Sequence, residues 1–421
     1  MFDPERFLSQ LVVIVAATRL VGALAARLRQ PRVVGEIAAG LLLGPSLLGR
    51  LAPGLSAWLF PPATFPVLLA VSHLGLLFFM FLVGLHLDLG MLRASGRTAL
   101  VTSPVSIVVP LGLGIAVGGV IQPRFAPEVS PLPFALFMGV ALSVTAFPVL
   151  ARILEQRGLA RTRVGVVAIA CAAVDDVTAW CLLAGVTAYV RAAAGSSSFA
   201  RTLLLLAVFA AAVLLLLPPV LKRRLTRSPA AFLPLAVVCL LACAAVTEAI
   251  GVHALFGAFL AGIAMPRRDD LRHALEVSLE AVTSVVLLPL FFASTGLRLD
   301  VGWLQGSAAW SAFGLILLAA VGGKLGGSMV AARATGMGWR DAAGLGILLN
   351  TRGLVELVIL GAGLELGVLT PPVYSMMVLM ALVTTAMATP VLQALGLARS
   401  EPLRDSTPPS SPPGARPIGW E

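Results

Sequence analysis

The sequence predicts an all-α polytopic membrane protein of about 13 transmembrane helices, arranged as inverted repeats with two broken helices, spans five and twelve. Three observations carry this. The 421 residues are 58% hydrophobic and 12% charged, with a mean hydropathy of +0.97, where a soluble domain is about 25% charged. Apolar stretches of bilayer length, about 20 residues, recur almost to the C-terminus. Two Gly- and Asp-bearing motifs recur in the same order in both halves. The long continuous apolar segments exclude a transmembrane β-barrel, which alternates over short ones.

The first segment, centred near residue 17, follows the acidic "MFDPERF" and runs into an arginine cluster, so it reads as a first span and not a cleaved signal peptide. The others centre near residues 41, 76, 108, 143, 177, 210, 239, 258, 286, 317, 352 and 382. Loops after the odd-numbered spans, through the eleventh, hold 18 Lys and Arg. The opposite side holds six: Arg6, Arg50, Arg124, Arg191, Arg201 and Arg298. By the positive-inside rule the N-terminus is outside and the C-terminus cytoplasmic, in the cell's inner (plasma) membrane. The net charge of +10 sits in clusters such as "RLRQPR" and "KRRLTR" and reports this topology, with no nucleic-acid partner implied. Cys171, Cys181, Cys239 and Cys243 fall within spans and read as packing residues, not disulfides or zinc ligands. The transmembrane domain covers residues 1–396. Residues 397–421 are Pro/Ser-rich and read as a disordered cytoplasmic tail. No Gly-rich nucleotide motif follows the last span, so no regulatory dinucleotide domain is expected.

The third span ends "FMFLVGLHLDLG" and the tenth "FFASTGLRLDVG", aligning Phe79 with Phe291, Gly84 with Gly296 and Asp88 with Asp300. One segment earlier, Gly35, Ala39 and Gly40 match Gly257, Ala261 and Gly262, while Pro45 and Pro266 miss register by one residue. The offset is seven spans, an odd number, so the halves are inverted, a construction of secondary transporters.

Span five, "GVALSVTAFPVLARILEQRG", contains Pro148, which removes a backbone donor, with Ser143 and Thr145 just before it. Span twelve places Asn350, Thr351, Arg352 and Gly353 mid-span, a sequence suited to unwound backbone facing a cavity and not lipid. Helix ends meeting at mid-membrane supply partial charges and carbonyls for an ion.

Each intramembrane charge is costly unless paired or wetted. Arg19 can snorkel to the cytoplasmic end, Glu36 lies near the same surface, and Glu248, near the outer end, reads as structural. Arg352 and Glu356, four apart, can pair within one helix. Asp175 and Asp176 stand apart, since the nearest charged side chains in sequence are Arg163 and Arg191. Adjacent helical residues project about 100° apart. One aspartate can therefore face Lys324, in the glycine-rich "VGGKLGG", while its neighbour faces an aqueous cavity.

Taken together and in order, "QPRVVGEIAAGLLLGPSLLG", "SVTAFPVLARILEQRGL", "AAVDDVTAW", "GVHALFGAFLAG", "LPLFFASTGLRLD", "GGKLGG" and "LNTRGLVELVIL" resemble the monovalent cation:proton antiporters, in the branch of bacterial potassium-efflux systems and plant-type cation/proton exchangers. The resemblance covers roughly residues 7–396. It implies a core of spans four to six and eleven to thirteen, with broken helices five and twelve crossed, and a dimerisation domain of spans one to three and eight to ten. It also implies that Asp176 binds the monovalent cation or the proton, that Asp175 is its neighbour and the partner of Lys324, and that Thr145 and nearby backbone are cation ligands. Many plant-type members have Asn at the position of Asp175, and the double-Asp form is associated with electrogenic exchange. The expected partners are a monovalent cation, protons, the lipid bilayer and a second copy of the chain, with no cofactor. The reading is exchange of Na⁺ or K⁺ for H⁺. The alternative is proton-coupled efflux of an organic cation or metabolite on the same fold. A cation channel or a transporter-like sensor stands further off, and no catalytic residue is assigned because no nucleophile or metal constellation appears.

Overall fold

The computed structural model describes residues 3–86, 96–160, 162–193, 199–224, 229–266 and 268–397. Asp88, one end of the repeat motif, and residues 398–421 of the tail lie outside the described residues. The described residues form helices joined by turns, labelled here by span: α1 (Pro4–Arg27), α2 (Arg32–Leu43), α3 (Phe65–His86), α4 (Gly96–Phe125), α5a (Pro131–Ser143), α5b (Phe147–Gln156), α6 (Arg163–Ala193), α7 (Phe199–Arg224), α8 (Pro229–Ile250) and α9 (Ala254–Ile263). Then follow α10a (Asp269–Val282) and α10b (Leu288–Leu297), joined by a π turn at Thr283–Leu287, α11 (Gly306–Ala334), α12a (Trp339–Leu349), α12b (Leu354–Glu365) and α13 (Pro371–Ala394). Among the described residues, 11 helical segments have the length and composition to cross a membrane, and the α12a–α12b pair, bent by 41°, makes 12. The ten-residue α9, at the place of the ninth span, is apolar but shorter.

Local chemistry explains the ends. Asp3 caps α1 by accepting the Arg6 N–H, Pro4 opens the first turn, and Arg27 closes the last against the negative helix end. Pro148 does not kink a continuous helix. It lies in the first turn of α5b, where no N–H is needed, and the break is the extended stretch 144–146 just before it.

The helices sort into two packed groups. One contains α1, α2, α3, α8, α9 and α10, the other α4, α5, α6, α11, α12 and α13, with α7 against α6, α8 and α9. Within the first group the repeat is visible as two matching crossings. In α2 against α10b, a methyl on Gly40 would come within 2.2 Å of the Ala293 carbonyl oxygen, and one on Gly296 within 2.3 Å of that of Ile37. In α3 against α9, Gly84 meets Phe259 at 2.2 Å and Gly262 meets Phe81 at 2.1 Å. Sequence alignment pairs Gly40 with Gly262 and Gly84 with Gly296, so the same backbone-on-backbone contact is made twice. Small residues permit this close approach, and with no hydrophobic drive between helices in lipid it supplies the packing.

The second group carries the breaks. Lys324 and Arg352 are among its largest fully buried side chains, which no greasy helix bundle needs for packing.

Candidate functional site

The two breaks cross and hold each other. The Ala146 N–H donates to the Thr351 carbonyl at 3.1 Å, and the Thr145 hydroxyl stands 3.0 Å from that of Leu349. Gly353 sits where a methyl would come within 2.7 Å of the Val149 side chain, so a larger residue here would have to displace it. Four helix ends therefore meet in the protein interior. The C-terminal carbonyls of α5a, the negative end of its dipole, are met by cations. Arg352 donates to Ala141 at 3.0 Å and Leu142 at 2.8 Å, and Lys324 to Ser143.

Lys324 sits in a π turn, Gly322–Gly326, of α11. Its ammonium also donates to Asp175 Oδ2 at 2.8 Å and to the Ser106 carbonyl at 2.8 Å, which uses all three of its N–H groups. Asp175 is 1% exposed and Lys324 not at all. The remaining acceptor capacity of Asp175 is taken by hydroxyls: Thr145 at 2.6 Å, Ser106 at 3.1 Å and Ser103 at 3.3 Å. Asp175 is a fully engaged carboxylate.

Asp176, one residue on, is its opposite. It is 2% exposed, and neither carboxylate oxygen has a hydrogen-bond partner. The group turned towards it is the backbone N–H of Phe147 at the positive end of α5b. The sequence placed this aspartate on an aqueous cavity, whereas here it is closed off from solvent. The angular separation of the pair was legible, but exposure depends on how the two helix groups sit against each other. The amide oxygen of Asn350, at the other break, is likewise without a partner.

The other expected residues lie partly at the two breaks and partly away from them. Ser143 and Thr351 turn their hydroxyls back to the carbonyls of Val140 and Leu348, ending α5a and α12a. Arg352 and Glu356 form the buried intrahelical pair, 3.2 Å apart, and Thr385 of α13 grips the Arg352 backbone by accepting its N–H and donating to its carbonyl. Arg352 is thereby a brace between the two broken helices. Arg19 donates to the Val285 carbonyl, and Glu248 pairs with Arg191 at 3.1 Å. Sequence reasoning missed Ser103, Ser106 and Thr385. The signal for the first two was a pair of hydroxyls three apart in "TSPVS" of α4, unremarkable without knowledge of which face meets α6.

The arrangement presents one buried carboxylate without a side-chain partner beside a helix N-terminus, with the unpartnered amide oxygen of Asn350 at the crossing. A hard monovalent cation takes such oxygens, and a proton takes the carboxylate alone.

The transmembrane sodium/hydrogen exchanger family matches residues 13–397. The chain is similar to the Na(+)/H(+) antiporter NhaS4 of Synechocystis, 41% identical over 395 residues, covering 91% of this chain and 96% of that one. It is 40% identical to Cation/H(+) antiporter 17 of Arabidopsis thaliana and 33% to K(+)/H(+) antiporter 1 of Saccharomyces cerevisiae, over 92% of this chain in each case. It spans about half of those two relatives, 48% and 46%. Its fold matches the sodium proton antiporter MjNhaP1 of Methanocaldococcus jannaschii with a TM-score of 0.64 at 16% identity, covering 93% of this chain and 98% of that one.

Proposed function

The chain belongs to the sodium/hydrogen exchanger family, and from that premise we propose that it is a secondary active antiporter exchanging a monovalent cation, Na⁺ or K⁺, for H⁺ by alternating access. The observation that carries the reading is Asp176, buried and without a partner beside an aspartate whose charge is fully met. A bare buried carboxylate is strongly disfavoured. It is neutralised by a proton or by a cation, both of which need the same oxygens and so exclude each other. The loaded site crosses the low-dielectric barrier between the two helix groups and the empty one does not, which couples the fluxes. Thr145 and adjacent backbone of the broken helix complete the cation's shell, and Lys324 holds Asp175 in place as the second acid of an electrogenic cycle. One pH unit supplies about 1.4 kcal/mol per proton and 100 mV about 2.3 kcal/mol per net charge moved.

The curated relatives named for Na⁺ and for K⁺ support either ion. The proposal further places the chain in the cell's inner membrane with its N-terminus outside, as a homodimer through the α1–α3 and α8–α10 group, with no cofactor. Its test is an imposed pH gradient in proteoliposomes. Addition of Na⁺, K⁺, Li⁺ or Rb⁺ should dissipate the gradient, and the most effective ion names the substrate. Folded protein that answers to none of them from about pH 6 to 9 moves the reading to proton-coupled efflux of an organic cation or metabolite.

A further inference from the structure

At the end of the bundle that holds the 251–253 turn, which the loop charges place outside, a cavity of about 310 Å³ lies between the two helix groups. Thr187 and Arg191 of α6 line it from one group, Glu248 and His253 from the other, and Arg191 donates to Glu248 at 3.1 Å. Asp176 is not in its wall. The helix α6 connects the two places. At about 100° and 1.5 Å per residue, Asp176, Trp180, Leu183, Thr187 and Arg191 fall within about 80° on one face, and Thr187 stands about 17 Å along the axis from Asp176. Trp180 and Leu183, between the carboxylate and the cavity, are each 1% exposed.

Two residues of this face depart from the habits of the rest of the chain. The other described tryptophans, Trp58, Trp303, Trp310 and Trp339, are at least half exposed, as aromatic residues at a membrane interface are. Trp180 is buried, and its indole N–H has no acceptor. A phenylalanine would fill the space without leaving a donor unmet. Thr18, Thr178, Thr247 and Thr384 return their hydroxyls to the carbonyl four residues back. The buried hydroxyl of Thr187 has no partner. With the carboxylate of Asp176, one face of one helix thus carries three unmet polar groups in succession, interrupted only by the apolar bulk of Trp180 and Leu183.

We propose that this face of α6 is the route by which the exchanged ion reaches Asp176 from the cavity, and that Trp180, backed by Leu183, is the residue that closes it. A helical side chain covers the turn N-terminal to its own Cα, which for Trp180 is the turn of Asp176. In the arrangement described, the indole seals the carboxylate from the cavity. When the helix groups part at this end, water enters along the face and meets first the Thr187 hydroxyl and then the indole N–H. The hydroxyl oxygen can ligate a cation. The indole N–H, a donor only, holds the water that accompanies it, so Trp180 is a positioning residue. The same side chain balances the two arrangements. Its unmet N–H disfavours the closed one, and the exposure of its ring disfavours the open one.

The first arm of the test needs no transport. The four native cysteines are replaced by alanine, and Asp176→Cys reports access to the site through its reaction with a membrane-impermeant thiosulfonate. Adding Trp180→Ala should speed that reaction about tenfold or more from the cavity face, since truncating a buried tryptophan costs more than a tenfold shift requires. The rate from the opposite face should not change. An unchanged rate from the cavity face overturns the proposal, and so does equal acceleration from both faces, which would mean general loosening. The second arm rests on the exchange reading above and uses vesicles of one orientation. Trp180→Phe keeps the bulk and removes the N–H, which favours the closed arrangement. The KM for cation offered on the cavity face should rise about tenfold while that on the other face does not. A KM unchanged on both faces overturns the route whose opening the N–H favours. Loss of exchange in every variant, with the thiol result intact, would sink the exchange reading and leave the route standing.

Discussion

Asp176→Asn should reduce cation-triggered proton flux to that of empty liposomes while leaving the protein as stable as the wild type or more so. Asparagine keeps the shape of the side chain but can neither take up a proton nor neutralise a cation. The two halves of the expectation are linked. Asp176 has no side-chain partner to lose, and removing a buried charge without a counter-ion relieves a desolvation cost larger than the pull of the Phe147 N–H. Flux in reconstituted vesicles and the thermal unfolding midpoint in detergent check both. A variant that still exchanges cations places the site elsewhere, and one that fails to fold gives Asp176 a structural role.

The neighbouring pair should behave in the reverse way. Lys324→Met leaves Asp175 buried with its charge uncompensated and leaves the Ser143 and Ser106 carbonyls without their ammonium donor. Breaking one side of a buried ion pair costs about 3–5 kcal/mol. Asp175→Asn combined with Lys324→Met removes both charges and should recover most of that loss, because an uncharged, well-packed pair is often as stable as the ionic one. Unfolding of the two single variants and the double variant forms a cycle that isolates the pair energy. Equal destabilisation by the single and double variants would mean that Lys324 acts through the carbonyls at the end of α5a and not through Asp175.

Much of this architecture is written in the chain. Apolar lengths locate the spans, and the shared Gly-Leu-x-Leu-Asp motif announces the repeat. The repeat became a matter of contact only with Gly40 on Ala293 and Gly262 on Phe81, since sequence shows that glycines recur but not what lies against them. The aspartate pair and Lys324 were legible because charge in an apolar run is costly enough to need a reason. Their hydroxyl partners were not. Ser103 and Ser106 stand 72 and 69 residues from Asp175, and a serine in a span is cheap, so its presence signals nothing by itself. For Arg352 only the pairing with Glu356 was legible, because its other partners, the Ala141 and Leu142 carbonyls, belong to another broken helix. The break in span five was expected at Pro148 and lies at 144–146, because a proline that ends one helix serves as well to begin the next.

The most direct measurement is proton release on cation binding. Purified protein in weakly buffered detergent receives Na⁺ or K⁺ under conditions where Asp176 is protonated, and the change in pH is recorded. Release of protons by the wild type, saturating with the cation and absent in Asp176→Asn, is the predicted result, because cation and proton displace each other at one carboxylate. Cation binding without proton release, or equal release from the variant, would contradict it.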